Sequence, residues 1–160
     1  MIMSKQKQII LIITLSFSLG ILRSFFINDQ DFFIIKKERV LEQINTFSIP
    51  NDITGPMVVS LEFAKYHHDK SSVIFIDARD PEDYDKGHIQ GAINIPYDYY
   101  EDYDDIIDEL DDSAIYITYC NGEECSLSID LADYLYNDKL FDTILIFEGG
   151  WPEWKKSGYP

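Results

Sequence analysis

The residues best suited to chemistry are two cysteines in residues 119–126 (YCNGEECS), and the chain contains no others. Cys120 ends an apolar run, and a short glycine-containing loop separates it from a helical pattern. Backbone N–H groups of a tight loop and the N-terminus of a following helix stabilise a thiolate at such a position, which suits a persulfide or an oxyanion. The sequence therefore predicts a nucleophile at Cys120, against the alternative of a buried, inert thiol.

The rest of the loop, from Asn121 and Gly122 to Ser126, bears on which chemistry is favoured. Glu123 and Glu124 disfavour an anionic substrate, unless both carboxylates point to solvent. Cys125 could attack a persulfide on Cys120 and release sulfide, or the two cysteines could form a dithiol redox site, provided their Cα atoms lie within ~7 Å. Alternatively, Cys125 packs as a small apolar residue at the helix start. Two cysteines without a nearby histidine are too few ligands for structural zinc, so we expect no metal or cofactor.

The elements that position this loop alternate from residue 57 onward. Apolar runs predict strands at 57–60, 73–77, 92–95, 114–119 and 143–147, and helices are predicted at 61–68, 80–87, 99–110, 126–136 and 151–157. This alternation predicts an α/β fold whose parallel strands are joined by right-handed crossovers, with helices on both faces. Ligands bind at the carboxyl ends of such strands. Asp77, Arg79, Cys120 and Glu148 fall there.

Composition limits the functions that the chain can have. With 160 residues and 46% hydrophobic content, it has room for one domain and an N-terminal extension. Residues 51–160 hold seven Lys/Arg against 25 Asp/Glu, and this excess of negative charge argues against nucleic-acid binding. Nine of the fifteen residues in 98–112 are acidic. We interpret this segment as a solvated helix whose inward residues are Tyr99, Tyr103, Ile106, Ile107 and Leu110. The alternatives are a cation site or a docking surface for a basic partner.

The N-terminal residues have the pattern of a membrane segment. Lys5 and Lys7 precede a largely apolar stretch at 9–27, whose 19 residues would span about 28 Å as a helix. We expect a single N-terminal anchor at 1–28 with the acidic domain outside the cytoplasm, or alternatively an exported protein whose signal segment is cleaved. A connector with a short amphipathic helix at 36–47 fills 29–55, and the folded domain occupies 56–160.

Three segments of this domain resemble the rhodanese-like domain family. They are VIFIDARDPEDYDKGHIQGAINIP (73–96), YITYCNGEECSLSIDLADYL (116–135) and FEGGWPEWKKSGYP (147–160). The resemblance implies a five-stranded parallel sheet in a three-layer α/β/α arrangement. It also implies that Cys120 is a single catalytic cysteine that transfers sulfane sulfur through a persulfide, from a sulfur donor to a thiol or other nucleophilic acceptor.

Other residues of these segments are expected to support the loop. Asp77 and Arg79 would pair or bond to loop backbone, and His88 would bond to backbone at a turn. Gly149 and Gly150 would allow their backbone to approach the Cys loop closely. Trp151 and Trp154 would pack as anchors.

Loop length and charge narrow the implied chemistry. Phosphatases of related architecture use C-x5-R, in which the arginine binds phosphate, but the residue six positions after Cys120 is Ser126. The shorter loop is the form associated with sulfur transferases. Many thiosulfate-using members have a basic residue in the loop, commonly at its last position, whereas this loop has Glu123 and Glu124 followed by Cys125. We therefore expect a neutral or less charged donor. The alternatives are a thiol/disulfide redox protein that uses Cys120 and Cys125, and a non-catalytic binding or scaffold domain.

Overall fold

The computed structural model describes residues 6–8, 11, 14, 16, 41–44, 46–50, 53–122 and 125–160. The chain divides into two compact units, Met1–Arg39 and Val40–Pro160. The described residues of the first unit are helical. Within the described residues, no helix is long and apolar enough to cross a membrane. Most of the predicted membrane segment at 9–27 lies outside the described residues.

The second unit contains a parallel sheet with the strand order β1-β2-β6-β5-β3-β4. Its strands are β1 (Gln43–Ile44), β2 (Met57–Val59), β3 (Ile74–Asp77), β4 (Ile93–Asn94), β5 (Ile115–Tyr119) and β6 (Thr143–Phe147). Its helices are α1 (Leu61–Asp69), α2 (Pro81–Lys86), a 3-10 helix (Tyr97–Tyr103), α3 (Asp104–Asp108), α4 (Leu127–Asn137) and α5 (Gly150–Lys156). The predicted α/β class and parallel sheet are confirmed.

The sheet has six strands where five were predicted, because the connector contributes β1. The helix predicted over 36–47 is wrong at Gln43–Ile44, which pair in parallel with Val58 and Val59. The backbone N–H of Val58 also donates to the carbonyl of Glu42 at 2.8 Å. The apolar spacing of this segment is compatible with a helix, but β2 offers unpaired backbone groups that the extended segment satisfies.

The two faces of the sheet are buried in separate apolar clusters. Helix α4 covers one face, where Leu131, Ala132 and Leu135 pack with Ile76 and Tyr116 of the central strands. Helices α1 and α5 belong to the other cluster, which contains Phe63, Ala64, Phe75, Tyr119 and Trp154. The continuous apolar runs of β3, β5 and β6 are therefore explained by burial on both sides.

Local signals fix where two of the helices begin. Ser60 caps α1 by accepting a hydrogen bond from the backbone N–H of Phe63 at 3.2 Å, as its position before Leu61 predicts. Pro81 occupies the first position of α2, and Gly87 ends that helix with φ of +151°. This α2 segment lies between β3 and β4 and borders the Cys loop.

The acidic segment departs from the single helix predicted at 99–110. It forms the 3-10 helix and α3, and Tyr99 at their start has non-helical backbone angles. Ile107 is buried, and Tyr103 and Leu110 pack against the core, as expected. Tyr99 and Ile106 are exposed instead, because the kink breaks the regular spacing that would have turned them inward.

Candidate functional site

The Cys loop, residues 120–126, joins the carboxyl end of β5 to the start of α4. Cys120 directly follows Tyr119 in the centre of the sheet and is completely buried. Gly122 turns the loop with φ of +105°, and its carbonyl accepts the N–H of Cys125 at 2.9 Å. Residues 123 and 124 lie outside the described residues. The predicted placement of Cys120 at a strand end, before a helix, is what the structure has.

Two polar groups contact the sulfur of Cys120. The Sγ atom lies 3.3 Å from the hydroxyl Oγ of Ser128, in the first turn of α4, and 3.3 Å from the carbonyl oxygen of Cys125. The Ser128 hydroxyl can donate to a thiolate, whereas the Cys125 carbonyl can only accept from a thiol. The sulfur therefore has a side-chain donor at the helix start in addition to the helix terminus itself.

Cys120 and Cys125 are joined by a disulfide in the structure, with their Cα atoms 6.4 Å apart. This separation lies within the range that a disulfide spans. Cys120 is buried and Cys125 is partly exposed, so the two sulfurs differ in access to solvent. The loop can hold its cysteines either as a disulfide or as two adjacent thiols.

The turn after β6 packs against the Cys loop. The N–H of Trp151 donates to the carbonyl of Cys120 at 2.9 Å. Gly150 has φ of +57°, and a Cβ there would lie 2.8 Å from the backbone nitrogen of Gly122 and closer still to the Cys120 carbonyl. Gly150 thus has both a conformation and a space that only glycine fits. The close approach predicted for Gly149 and Gly150 is present, and half-buried Glu148 precedes them at the end of β6.

A buried ion pair lies at the end of the neighbouring strand, β3. Arg79 donates from Nε to Asp77 Oδ1 at 2.9 Å and from Nη2 to Asp77 Oδ2 at 2.5 Å. The same Nη2 donates to the Gly87 carbonyl at 2.8 Å, which ties the end of β3 to the end of α2. Asp77 and Arg79 are both buried, so their charges neutralise each other and shape the site without facing a substrate.

Aromatic rings surround the Arg79 guanidinium. Its central carbon lies 5.9 Å from the ring centre of Tyr119 and 5.8 Å from that of Trp151. Burial, together with the Asp77 carboxylate, raises the pKa of Tyr119, whose hydroxyl accepts the N–H of Ile89 at 3.1 Å. Tyr119 therefore stays neutral, and it acts as a structural link between β5 and the turn before β4.

The rim of the loop is acidic. The Lys86 ammonium, 3.0 Å from Asp83, and a hydrogen bond with Asn121 hold the pKa of the Asp83 carboxyl below its usual value. Near Gly149, the carboxyl carbon of Glu153 lies 2.7 Å from where a Cβ would be. We call Asp83, Glu148 and Glu153 the acidic rim; the sequence adds Glu123 and Glu124 within the loop itself.

Sequence reasoning missed Ser128, which is 1% exposed and contacts the reactive sulfur. The helical pattern alone gives no signal for this contact, which depends on how α4 packs on the sheet. Sequence reasoning also missed His67, which is buried and has its Nε2 3.0 Å from the carbonyl of Phe47. The predicted backbone bond of His88 is present, since its Nδ1 lies 2.9 Å from the Tyr84 carbonyl.

Within the described residues, no group of three or more His, Cys, Asp or Glu side chains is arranged to hold a metal ion. At the Cys loop, the groups that can react are the sulfur of Cys120 and the second sulfur of Cys125 beside it. Their chemistry is that of sulfur transfer and of thiol–disulfide exchange.

Known proteins share this sequence pattern and this fold. The tRNA uridine(34) hydroxylase of Acholeplasma laidlawii (strain PG-8A) is 35% identical over 92 residues, which make up 55% of this chain. The chain spans only 28% of the length of that hydroxylase. The rhodanese-like domain of an Anabaena protein is 25% identical, with a TM-score of 0.52 over 63% of this chain and 74% of that one. A Bacillus halodurans protein is 26% identical, with a TM-score of 0.54 over 62% of this chain and 72% of that one.

The family model for the rhodanese-like domain matches residues 60–157, which include the Cys loop, the Asp77–Arg79 pair and the turn at Gly149 and Gly150. The match extends over more than half of the chain and agrees with the parallel sheet described above. This chain belongs to the rhodanese-like domain family.

Proposed function

We propose that this protein is a sulfurtransferase in which Cys120 accepts a sulfane sulfur as a persulfide and passes it to a nucleophilic acceptor. The observation that supports this most directly is the placement of Cys120 Sγ at the end of β5, 3.3 Å from the Ser128 hydroxyl at the start of α4. A hydrogen-bond donor and a helix N-terminus both stabilise a sulfur anion. A thiolate and a persulfide anion carry the same charge, so one site serves both.

The charges around the loop favour a donor that is not a small dianion. Arg79, just after β3, is already neutralised by Asp77, and Lys86 is paired with Asp83. Glu123 and Glu124 lie in the loop sequence, and the acidic rim adds Asp83, Glu148 and Glu153. A thiosulfate dianion would meet unfavourable Coulomb energy, on the order of 0.5–3 kcal/mol at ~5–8 Å from two carboxylates. We therefore propose a small-molecule or protein persulfide as the donor.

A role on tRNA, which the name of the Acholeplasma hydroxylase suggests for that protein, is not our proposal for this chain. The net charge is −16, and a polyanionic RNA backbone needs clustered cations. We propose a thiol or another small nucleophile as the sulfur acceptor.

The test is to incubate the reduced full-length Cys125→Ser variant, which has no second loop thiol to displace an added sulfur, with cysteine persulfide or with thiosulfate, and to measure its intact mass. We expect cysteine persulfide to add the mass of one sulfur atom to Cys120, whereas thiosulfate adds little. The same variant with Cys120→Ser added is the control, and it should gain no sulfur. If no donor adds sulfur to Cys120, the enzymatic proposal fails, and a non-catalytic scaffold domain becomes the better description.

A thiol–disulfide redox protein is the second candidate, and the Cys120–Cys125 disulfide favours it. In this function the two cysteines would exchange electrons with a partner dithiol and never carry added sulfur. It predicts that the reduced wild-type protein forms the disulfide reversibly with an oxidised dithiol, and that Cys125→Ser gains no sulfur from cysteine persulfide. The intact-mass experiment therefore separates the two candidates.

We also propose that the apolar segment at 9–27 attaches the domain to a membrane, with the domain outside the cytoplasm. The support is its length and hydrophobicity together with the preceding Lys5 and Lys7. Carbonate extraction of membranes from cells that express the full chain tests attachment. Recovery of the uncleaved protein in the soluble fraction would contradict it, and recovery of a shortened protein would indicate a cleaved signal.

A further inference from the structure

We infer that Cys125 is the resolving thiol of this site, which attacks the persulfide on Cys120 and releases sulfide. The inference rests on the proposed function, because Cys120 must first accept a sulfur. It adds the fate of that sulfur: in the absence of a competing acceptor, the products are hydrosulfide and the Cys120–Cys125 disulfide.

The backbone already holds the two cysteines at bonding distance. Their Cα atoms are 6.4 Å apart, and the sulfurs are bonded in the structure. The turn at Gly122 and the hydrogen bond from the Cys125 N–H to the Gly122 carbonyl bring the two ends of the loop together. Cys125 can therefore reach Cys120 Sγ without rearrangement of the strand or of α4.

The step balances with the two cysteines and one donor. The Cys120 thiolate attacks the outer sulfur of a donor R–S–SH, the donor S–S bond breaks, and R–S⁻ leaves. The Cys125 thiolate then attacks Cys120 Sγ, the bond to the outer sulfur breaks, and that sulfur leaves as HS⁻ with the bonding electron pair. The sulfane sulfur is reduced to sulfide, and the two thiols are oxidised to a disulfide.

Because the two cysteines differ in burial, a reductant that returns the disulfide to two thiols attacks them in a set order. This reduction is the return step. Cys120 is completely buried, and Cys125 is partly exposed. A dithiol reductant therefore attacks the sulfur of Cys125, forms a mixed disulfide there, and expels Cys120 as the thiolate. The second thiol of the reductant resolves the mixed disulfide and restores Cys125. This order returns Cys120 in the form that accepts the next sulfur.

Electrostatics at the loop assists release of the product. Hydrosulfide is an anion, and the loop sequence contains the carboxylates of Glu123 and Glu124 beside those of the acidic rim. Arg79 is paired with Asp77 and Lys86 with Asp83, so neither of these cations is free to retain HS⁻. The same charges that disfavour thiosulfate therefore favour departure of sulfide.

A single-turnover experiment tests the inference. Reduced full-length protein, freed of reductant, is mixed with one equivalent of cysteine persulfide, and sulfide release and intact mass are followed over time. We expect the wild-type protein to release one equivalent of sulfide and to end as the Cys120–Cys125 disulfide. Cys125→Ser should retain the added sulfur on Cys120, and its rate of sulfide release should be at most about one tenth of the wild-type rate. Cys125→Ala is a second variant, and Cys120→Ser measures background release.

The outcomes separate this inference from the proposed function. If Cys125→Ser and Cys125→Ala gain sulfur but the wild-type protein keeps its persulfide equally long, Cys125 is not the resolving thiol, and the sulfurtransferase proposal stands. If no protein gains sulfur or releases sulfide above the Cys120→Ser background, both proposals fail. Trapping a reductant with one thiol as a mixed disulfide on Cys120, not on Cys125, would overturn the order of the return step.

Discussion

At the residue scale, the hydroxyl of Ser128 is the side-chain donor beside the reactive sulfur. Ser128→Ala removes a hydrogen bond to the thiolate worth about 0.5–1.5 kcal/mol, so the thiolate becomes less populated. We expect alkylation of Cys120 by iodoacetamide in the reduced protein at neutral pH to slow by roughly two- to tenfold. Peptide mass spectrometry resolves Cys120 from Cys125. The exposed Ser157→Ala is the control, and equal rates in both variants would exclude this role.

The two loop glutamates are expected to select the donor. Replacing Glu123 and Glu124 by lysine converts repulsion of thiosulfate into attraction. Because the repulsion is on the order of 0.5–3 kcal/mol, removing it should raise kcat/KM for thiosulfate by at least about twofold and up to roughly a hundredfold. The gain should shrink as salt screens the charges. The same double change at exposed Glu101 and Glu109 alters net charge equally but lies outside the loop. An equal gain in this control would assign the effect to net charge.

At the scale of elements, the Asp77–Arg79 pair joins the end of β3 to the end of α2. Asp77→Asn leaves the buried Arg79 without a countercharge, which should lower the free energy of unfolding by about 3–5 kcal/mol in urea titrations. Asp83→Asn is the matched control, because its ion pair with Lys86 is at the surface and should matter little. Equal destabilisation by both changes would contradict the role assigned to burial.

A second link between elements gives a pH dependence. Lys139, just after α4, contacts Asp104 at 2.9 Å and Asp108 at 2.7 Å on α3. Hydrogen bonds from Lys139 and from Tyr134 lower the pKa of Asp104 below 3.8, so its contribution to stability is present above that value and is lost as pH falls through the lowered pKa.

Lys139→Met should therefore lower the urea midpoint at pH 7, and its difference from wild type should shrink once the pH falls below 3.8. The exposed Lys156→Met provides the control for loss of one positive charge. A difference that stays constant down to the acid range would show that Asp104 is not the partner through which Lys139 acts.

At the scale of the whole molecule, the sequence predicted what depends on local patterns. Continuous apolar runs identify β3, β5 and β6 because central parallel strands are buried on both faces. The position of Cys120 follows from the end of β5. Ser128 was missed because its contact with Cys120 depends on how α4 packs on the sheet, and the pattern of the helix alone does not contain that information.

The same limit explains the errors outside the site. β1 has two residues, and it is a strand because Val58 and Val59 of β2 lie beside it, not because of its own propensity. The ring of His67 on α1 bonds to the carbonyl of Phe47, 20 positions earlier in the chain, a contact that the sequence did not predict. Pairings of this kind are set by tertiary packing, which overrides local pattern.

β1 has a consequence for how the sheet of the second unit avoids strand pairing between copies of the chain. It lies at the edge of the sheet and covers the backbone of β2, whose residues Met57–Val59 are all apolar. The family match begins only at residue 60, so β1 and β2 both precede the matched region, and β1 covers the outer edge of β2. A chain without residues 41–44 would offer β2 to other copies as a template for strand addition, and we expect it to aggregate even with every residue of the Cys loop intact.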